Sequence, residues 1–287
     1  MDLLINLSTK AVIYIVFLIA LNSLMLGKMN LWAIGNVVYF SLGSFIAGFF
    51  SNNLAISGNS LYLLFLIVPV AVSIVSLIFF YASRVFKQDF FLFFSLFFIE
   101  LNFVANKIVA GSSGYSNIAR PWGIQSDISL LIVSSIVLVI CVIWMINFNK
   151  SRVDKIHTVI RNSEILAFSY GINTSKSQLP VFISSAIISG LMGVMFAFCT
   201  YGADPKLFTT SNIIVLFTLI ILGGIDSIKG AIVAGLIFVF FTFSLESALS
   251  STFQIHAPKI TQIIFGILLI IIPFIMPKGM FGKRNFQ

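Results

Sequence analysis

Runs of roughly 20 apolar residues, long enough as helices to cross a hydrocarbon layer about 30 Å thick, recur along this chain between short polar interruptions. Nine are read, over residues 10–27, 31–50, 61–81, 89–109, 128–148, 178–200, 211–222, 230–248 and 259–276. The second is only weakly apolar and the seventh is too short to cross alone. One interruption is long. Between Phe148 and Leu179, at 100° per residue, Val153, Ile156, Val159, Ile160, Leu166, Ala167 and Tyr170 fall on one arc. Asp154, His157, Thr158, Arg161, Asn162 and Glu164 fall opposite. The pattern predicts an amphipathic helix over residues 153–170, with Gly171 as a left-handed stop before Asn173 and Thr174 open the next element. Its apolar arc suits packing against the apolar bundle. Its polar arc, with Arg161 and Glu164 three residues apart on it, suits a soluble partner. The competing placement, flat in the lipid headgroups, favours Lys and Arg without interspersed acids.

Composition removes the soluble classes. The chain is 59% hydrophobic and 9% charged, with 32 Phe, against about 25% charged for ordinary soluble domains. Mean hydropathy is +1.08. The fold class expected is therefore all-α: a polytopic integral membrane protein of about 8–10 spans, forming one transmembrane domain over residues 1–287. The first run follows Lys10, has no clear small-residue cleavage site and precedes further runs, so it is read as a mature helix. The net charge of +8 has a one-sided distribution. With the 149–177 loop placed inside and the spans alternating, the inner side collects twelve of the 17 Lys and Arg residues. The outer side keeps Lys10, Lys107, Arg120, Lys206 and Lys259. That bias predicts a multi-pass protein of the cell membrane with its N-terminus outside and its C-terminus cytoplasmic, in contact with lipid and not with nucleic acid.

Little in the spans can do chemistry. Glu100 is the one carboxylate deep in a run, and both histidines, His157 and His256, fall in loops. Cys141 and Cys199 lack metal-ligand spacing, so no metal site is expected, and convergent catalytic groups are missing, so no enzyme is expected. The stretch GGIDSIKGA at 223–231 lacks the Gly-Lys-Ser/Thr ending of a phosphate loop. Energy for transport would come from another subunit. Gly223, Gly224, Asp226 and Gly230 mark a break after the short seventh run, either a re-entrant or broken helix or a tight turn between two spans. Ser44 with Gly48, and Ala231 with Gly235, have the four-residue spacing that lets helices approach closely. Glu100 either lines a permeation path or pairs with Asn102, Asn106 or Lys107.

At residues 151–198 the chain resembles the cytoplasmic loop and following helix of the branched-chain amino-acid ABC transporter permeases, M-type subunit. Ser151, Ile160, Arg161, Glu164, Ala167, Gly171, Ile172, Asn173, Ser185, Ala186, Gly190 and Gly193 match that pattern. Asp154, Lys155, Val159 and Ser189 depart from its Gly, Arg, Ala and Ala. NLWAIGNVVYFSLGSF at 30–45, AGSSGYSNIARP at 110–121, LGGIDSIKGAIVAG at 222–235 and MPKGMFG at 276–282 are similar to further segments of the family, in its order. Asp226 stands where the family has Gly.

The resemblance implies a permease subunit of an ATP-driven importer for branched-chain or other amino acids. It would bind no cofactor itself; ATP would be used by cytoplasmic ABC ATPase subunits. A second homologous permease and an extracytoplasmic solute-binding protein would complete the complex. Lys155, Arg161, Glu164 and Gly171 would couple to the ATPase. Asn36, Tyr39 and Glu100 are the candidate substrate path, and Ser112 and Gly114 in the external loop 110–127 would meet solute or the delivering protein. The alternative is an ATP-independent channel or secondary carrier for a small polar solute such as urea or an amide.

Overall fold

Helix formation follows the apolar runs, because backbone groups in lipid must be satisfied within their own segment. The computed structural model describes residues 2–22, 35–54, 58–85, 88–253, 257–276 and 278–282. Its helices are α1 (Asp2–Ile19), α2 (Asn36–Asn52), α3 (Leu64–Val85), α4 (Gln88–Ala110), α5 (Asp127–Lys150), α6 (Arg152–Asn162), α7 (Glu164–Ser169), α8 (Thr174–Thr200), α9 (Thr210–Gly223), α10 (Ile228–Phe253) and α11 (Ala257–Ile275). Among the described residues six helical stretches are long and apolar enough to cross a membrane, and the shorter Asn212–Gly223 and Lys259–Ile275 are also apolar. The protein is an all-α, polytopic membrane bundle.

Exposure along the helices carries the same conclusion. Leu66, Val70, Ile74 and Ile78 on α3, and Ile128, Ile132, Ile136 and Ile140 on α5, recur every four residues and are all more than half exposed. A water-soluble bundle would turn such stripes inward; helices facing lipid present them outward. The small and polar residues go inside instead. α2 lies against α8, α3 and α4, and Asn36, Tyr39, Ser41 and Ser44 on it are fully buried. This explains why its run reads as only weakly apolar: it faces protein on most sides. The α2–α8 crossing is a backbone contact. A Cβ on Gly43 would lie 1.9 Å from the Gly190 carbonyl oxygen, and one on Gly193 would lie 1.9 Å from that of Phe40. On α10, Ala231 is buried and a Cβ on Gly235 would meet the Ile15 side chain at 2.5 Å, which seats α10 on α1.

Two boundaries differ from the sequence reading. The first helix begins at Asp2, so Lys10 lies within α1 and not in an outer loop. The polar residues before it are accommodated because the Ser8 and Thr9 hydroxyls donate back to the Leu4 and Ile5 carbonyls at 2.7 and 2.8 Å. Residues 23–34, which hold the end of the first expected run and the start of the second, lie outside the described residues. The break at 223–230 is the tight-turn alternative. α9 and α10 pack against each other, and Gly223 and Gly230 touch backbone to backbone, each Cβ position within 2.5 Å of the other's carbonyl oxygen.

At one end of the bundle, Tyr115–Ser116 (β1) pairs antiparallel with Gly202–Ala203 (β2), Tyr115 opposite Ala203. The Asn52 amide donates to the Ser116 carbonyl at 2.8 Å. Arg120, 7% exposed, locks this ribbon end. It donates to the Phe198 carbonyl at 2.7 Å and the Gln125 carbonyl at 3.0 Å, pairs with Asp127 at 2.7 Å, and lies 4.1 Å over the Tyr201 ring. Removing the guanidinium would leave the Phe198 and Gln125 carbonyls without their donor, at a cost of roughly 1–3 kcal/mol. Arg120→Ala is therefore expected to lower the melting temperature in detergent and to open residues 110–127 to proteinase K. Wild-type protection of that loop would show that the two-residue ribbon holds it without the arginine.

Candidate functional site

The opposite end carries α6 and α7. Ser151 ends α5 and caps α6, its hydroxyl accepting from the Asp154 N–H at 3.4 Å, so the chain turns sharply with its first orphan amide satisfied. The expected single helix over 153–170 is two. Ser163 is extended, at φ −162° and ψ 115°, and separates α6 from α7. Serine has a short polar side chain that competes with the helix ladder, a signal weaker than the periodicity around it. Gly171 adopts φ +73°. Its N–H donates to the Phe168 carbonyl and that of Ile172 to the Ala167 carbonyl, at 2.9 and 3.1 Å, before the Asn173 side chain caps α8.

The buried face is rotated from the predicted arc. His157, Ile160 and Ala167 are buried, while Val153 is 41% and Tyr170 73% exposed. His157 lies against Phe148 of α5, ring centroids 6.0 Å apart. Arg161, expected on the outward polar arc, points into the bundle and pairs with Asp226 at 3.3 Å, the two side chains being 14% and 9% exposed. With Arg161 turned inward, the Asp226 carboxylate supplies the partner without which a sheltered guanidinium would be costly, and Val153 and Tyr170 are left at the surface.

Asp226 sits in the turn between α9 and α10 at φ +63°, a left-handed conformation that non-glycine residues rarely adopt. The turn is held by Asn22, just beyond α1. The Asn22 amide donates to the Gly224 and Ser227 carbonyls at 3.0 and 3.5 Å, and its oxygen accepts from the Asp226 N–H at 3.1 Å. Gly224, at φ +93°, is pressed by the C-terminal segment: a Cβ there would lie 2.2 Å from the Gly282 nitrogen. The Met280 and Phe281 N–H groups donate to the Leu222 and Gly223 carbonyls at 2.8 and 3.1 Å. Four segments thus meet in one junction: the end of α1, α6, the α9–α10 turn and residues 278–282. Around it Lys150, Arg152, Lys155, Lys176, Lys229 and Lys278 are exposed, a basic rim beside the elbow formed by α6 and α7. Chemically the junction holds no convergent nucleophile or acid–base pair among the described residues. Mechanically, it ties a surface helix to three membrane helices through one ion pair and a set of short backbone hydrogen bonds.

Of the residues singled out from sequence, Arg161, Gly223, Gly224, Asp226 and Gly230 come together here. Lys155 lies on the exposed face of α6, and Glu164 opens α7. The others are apart. Asn36 donates to the Ser185 and Ser189 hydroxyls at 2.9 and 3.0 Å between α2 and α8, and Tyr39 stands edge-on to Phe79, 6.4 Å away. Both are fully buried. Glu100 is on the exposed face of α4 and accepts from the Thr210 hydroxyl. The partners offered to it by sequence are engaged elsewhere: Asn106 donates to Asn102 and to Ser41, each at 2.9 Å, and the Lys107 ammonium lies 5.0 Å over the Phe103 ring. Ser112 is exposed at a turn, and Gly114, at φ +71°, lies where a Cβ would be 2.1 Å from the Ala203 carbonyl oxygen. Sequence reading missed Asn22, whose only signal is a polar residue ending an apolar run.

The family described as "Branched-chain amino acid transport system / permease component" matches residues 3–273. The chain is similar to the high-affinity branched-chain amino acid transport system permease protein LivH of Escherichia coli K12, 27% identical over 164 residues, and to LivH of Salmonella typhimurium, 26% identical over 164 residues. Each alignment covers 54% of this chain and 51% of the relative, so the chain spans about half the length of the curated relatives it matches. These relatives are named LivH, so the resemblance to the M-type subunit stands at the level of the shared family. No solved structure matches significantly. With the match running from α1 into α11 across helices of membrane-crossing length, the chain belongs to the branched-chain amino acid transport permease family.

Proposed function

We propose that this chain is one transmembrane subunit of an ATP-driven importer for branched-chain or related amino acids, with ATP bound and hydrolysed by separate cytoplasmic subunits. The observation that carries this is the Arg161–Asp226 ion pair joining α6 to the α9–α10 turn. A membrane protein without a phosphate-binding loop, but with a surface helix hard-wired to its transmembrane helices, is suited to receive motion from outside itself. The ATPase docks on the exposed face of α6 around Lys155 and Arg152. Its movement shifts α6 as a lever and, through Asp226 and Asn22, re-sets α1, α9 and α10 between two openings.

The elbow faces the cytoplasm, with the C-terminal turn beside it and the α1 N-terminus and ribbon outside; the basic rim on the elbow side supports this orientation. The ribbon end, held rigid by Arg120, receives an extracytoplasmic solute-binding protein, which brings most of the selectivity. A second, related permease covers the face of α4 that presents Glu100, removing from lipid a carboxylate that is costly there.

The test is co-purification of the tagged chain from mild detergent, combined with a cysteine placed at Lys155 for cross-linking. Recovery of an ATPase that cross-links through position 155 is the expected result. Recovery of this chain alone across several detergents, with unaided flux of a small amide in vesicles, would replace the reading with an ATP-independent channel or carrier.

A further inference from the structure

In the ribbon-end half of the bundle, α1, α8, α9, α10 and α11 line a half-open cavity of about 350 Å³. Its walls are mostly apolar, with Val215, Phe238 and Val239 among them; besides Lys10, Asn212 and Gln262 its polar groups are Tyr14 and three threonines, of which Thr200 and Thr242 donate to the Phe196 and Phe238 carbonyls of their own helices. Lys10 is the unusual member. It lies twelve residues from Asn22 along α1, a rise of about 18 Å from the junction at the other end, which puts the ammonium at membrane depth. An ammonium there is expensive unless paired or wetted, yet among the described residues no carboxylate pairs with it. The opposite wall is pre-set. The Asn212 amide donates to the Lys206 and Leu207 carbonyls at 2.9 and 3.2 Å, and its oxygen accepts from Gln262 at 2.9 Å, so the two amides hold one geometry.

We propose that this cavity is a binding site for a small carboxylate with an aliphatic body, the carboxylate held by Lys10 and the aliphatic part laid against Val215, Phe238 and Val239. One cation facing the apolar side chains of Val215, Phe238 and Val239 in a cavity of this size matches a small aliphatic carboxylate, such as an amino acid, better than urea or a sugar. Urea offers no charge to Lys10, and a sugar would leave its hydroxyls facing hydrocarbon. An amino-acid ligand rests on the function proposed above, but binding at Lys10 does not, because it is measured without ATPase or binding protein.

The experiment is equilibrium binding of labelled L-leucine to the full chain in phosphatidylcholine nanodiscs, with leucinamide as competitor. Saturable binding is expected, with leucinamide at least tenfold weaker than leucine because it has lost the carboxylate. Lys10→Met should weaken leucine at least tenfold and Lys10→Arg should largely preserve it. Wild-type affinity in Lys10→Met, equal competition by leucinamide, or no saturable binding would each overturn the proposal. The leucinamide comparison needs no variant, so a Lys10→Met protein that fails to fold does not blunt the test. A lipid phosphate offers Lys10 the same anionic chemistry. If phosphatidylglycerol in the nanodisc displaces leucine and is itself retained through Lys10, the site belongs to a lipid headgroup and the solute assignment falls.

Discussion

A Gly43→Val protein is expected to reach the membrane but to melt roughly 10 °C below the wild type, or not to yield a monodisperse bundle at all. The added Cβ would sit 1.9 Å from the Gly190 carbonyl oxygen, and a backbone carbonyl in mid-helix cannot rotate aside as a side chain can. α2 and α8 must separate over the stretch where Gly193 also lies against the Phe40 carbonyl. Overpacking of this kind costs about 3 kcal/mol or more. Lipid tails are as apolar as leucine, so helix association in a membrane depends on close packing and has little hydrophobic drive to compensate. Separating the pair would also pull Asn36 from Ser185 and Ser189. Gly266→Ala is the control: nothing lies within 4 Å of its Cβ position on α11. A smaller fall is therefore expected, read by thermal size-exclusion in detergent. A Gly43→Val midpoint within about two degrees of wild type would mean that α2 and α8 are not in backbone contact.

Reversing charge at the junction is expected to be the most damaging single change to transport. Arg161→Glu sets a second carboxylate against Asp226 in a site where both side chains are largely shielded, at a cost of about 3–5 kcal/mol, so both assembly and uptake should fail. The sharper variant is Asp226→Asn. Asparagine tolerates the left-handed conformation at φ +63° and keeps the shape, so the turn and its Asn22 bonds should persist while the ion pair is lost. At least a tenfold drop in ATP-driven uptake is expected, with expression and ATPase co-purification near wild type. Asp226→Gly removes the backbone strain as well as the charge. It should be as poorly coupled as Asp226→Asn, the relief of about 1–2 kcal/mol of left-handed strain offsetting only part of what Arg161 loses with its carboxylate partner. Undiminished uptake in both variants would show that α6 moves the bundle by another route.

The helices themselves are legible because apolar length is a local property. The runs at 61–81, 89–109, 128–148, 178–200 and 230–248 need no partner to be helical, and α3, α4, α5, α8 and α10 stand within a few residues of them. The start of α1 is not legible in the same way. Ser8, Thr9 and Lys10 interrupt the hydropathy, although the two hydroxyls donate to the helix backbone and Lys10 lines a cavity within the bundle. Lys10 is concealed as a candidate binding group for the same reason, since a lysine assigned to a loop asks for no explanation. The elbow is partly legible. Amphipathicity locates it, and Gly171 marks its end, but the face it buries depends on Asp226, 65 residues away.

This sequence alone determines only the features set by neighbours within a turn or two of helix: an all-α membrane bundle, a polar elbow at 149–177, and glycines where a backbone must turn or be approached. Tertiary structure decided which polar residues meet. Arg161 finds Asp226, Asn22 closes the α9–α10 turn, Asn36 is sealed against α8, and Glu100 faces outward toward Thr210. Hydropathy and periodicity are sums over adjacent residues, whereas an ion pair or a cavity is set by the distance between segments far apart in the chain. In a bundle where many apolar surfaces are nearly interchangeable, that distance is chosen by small-residue contacts and a few buried hydrogen bonds, and no local pattern encodes which ones will form.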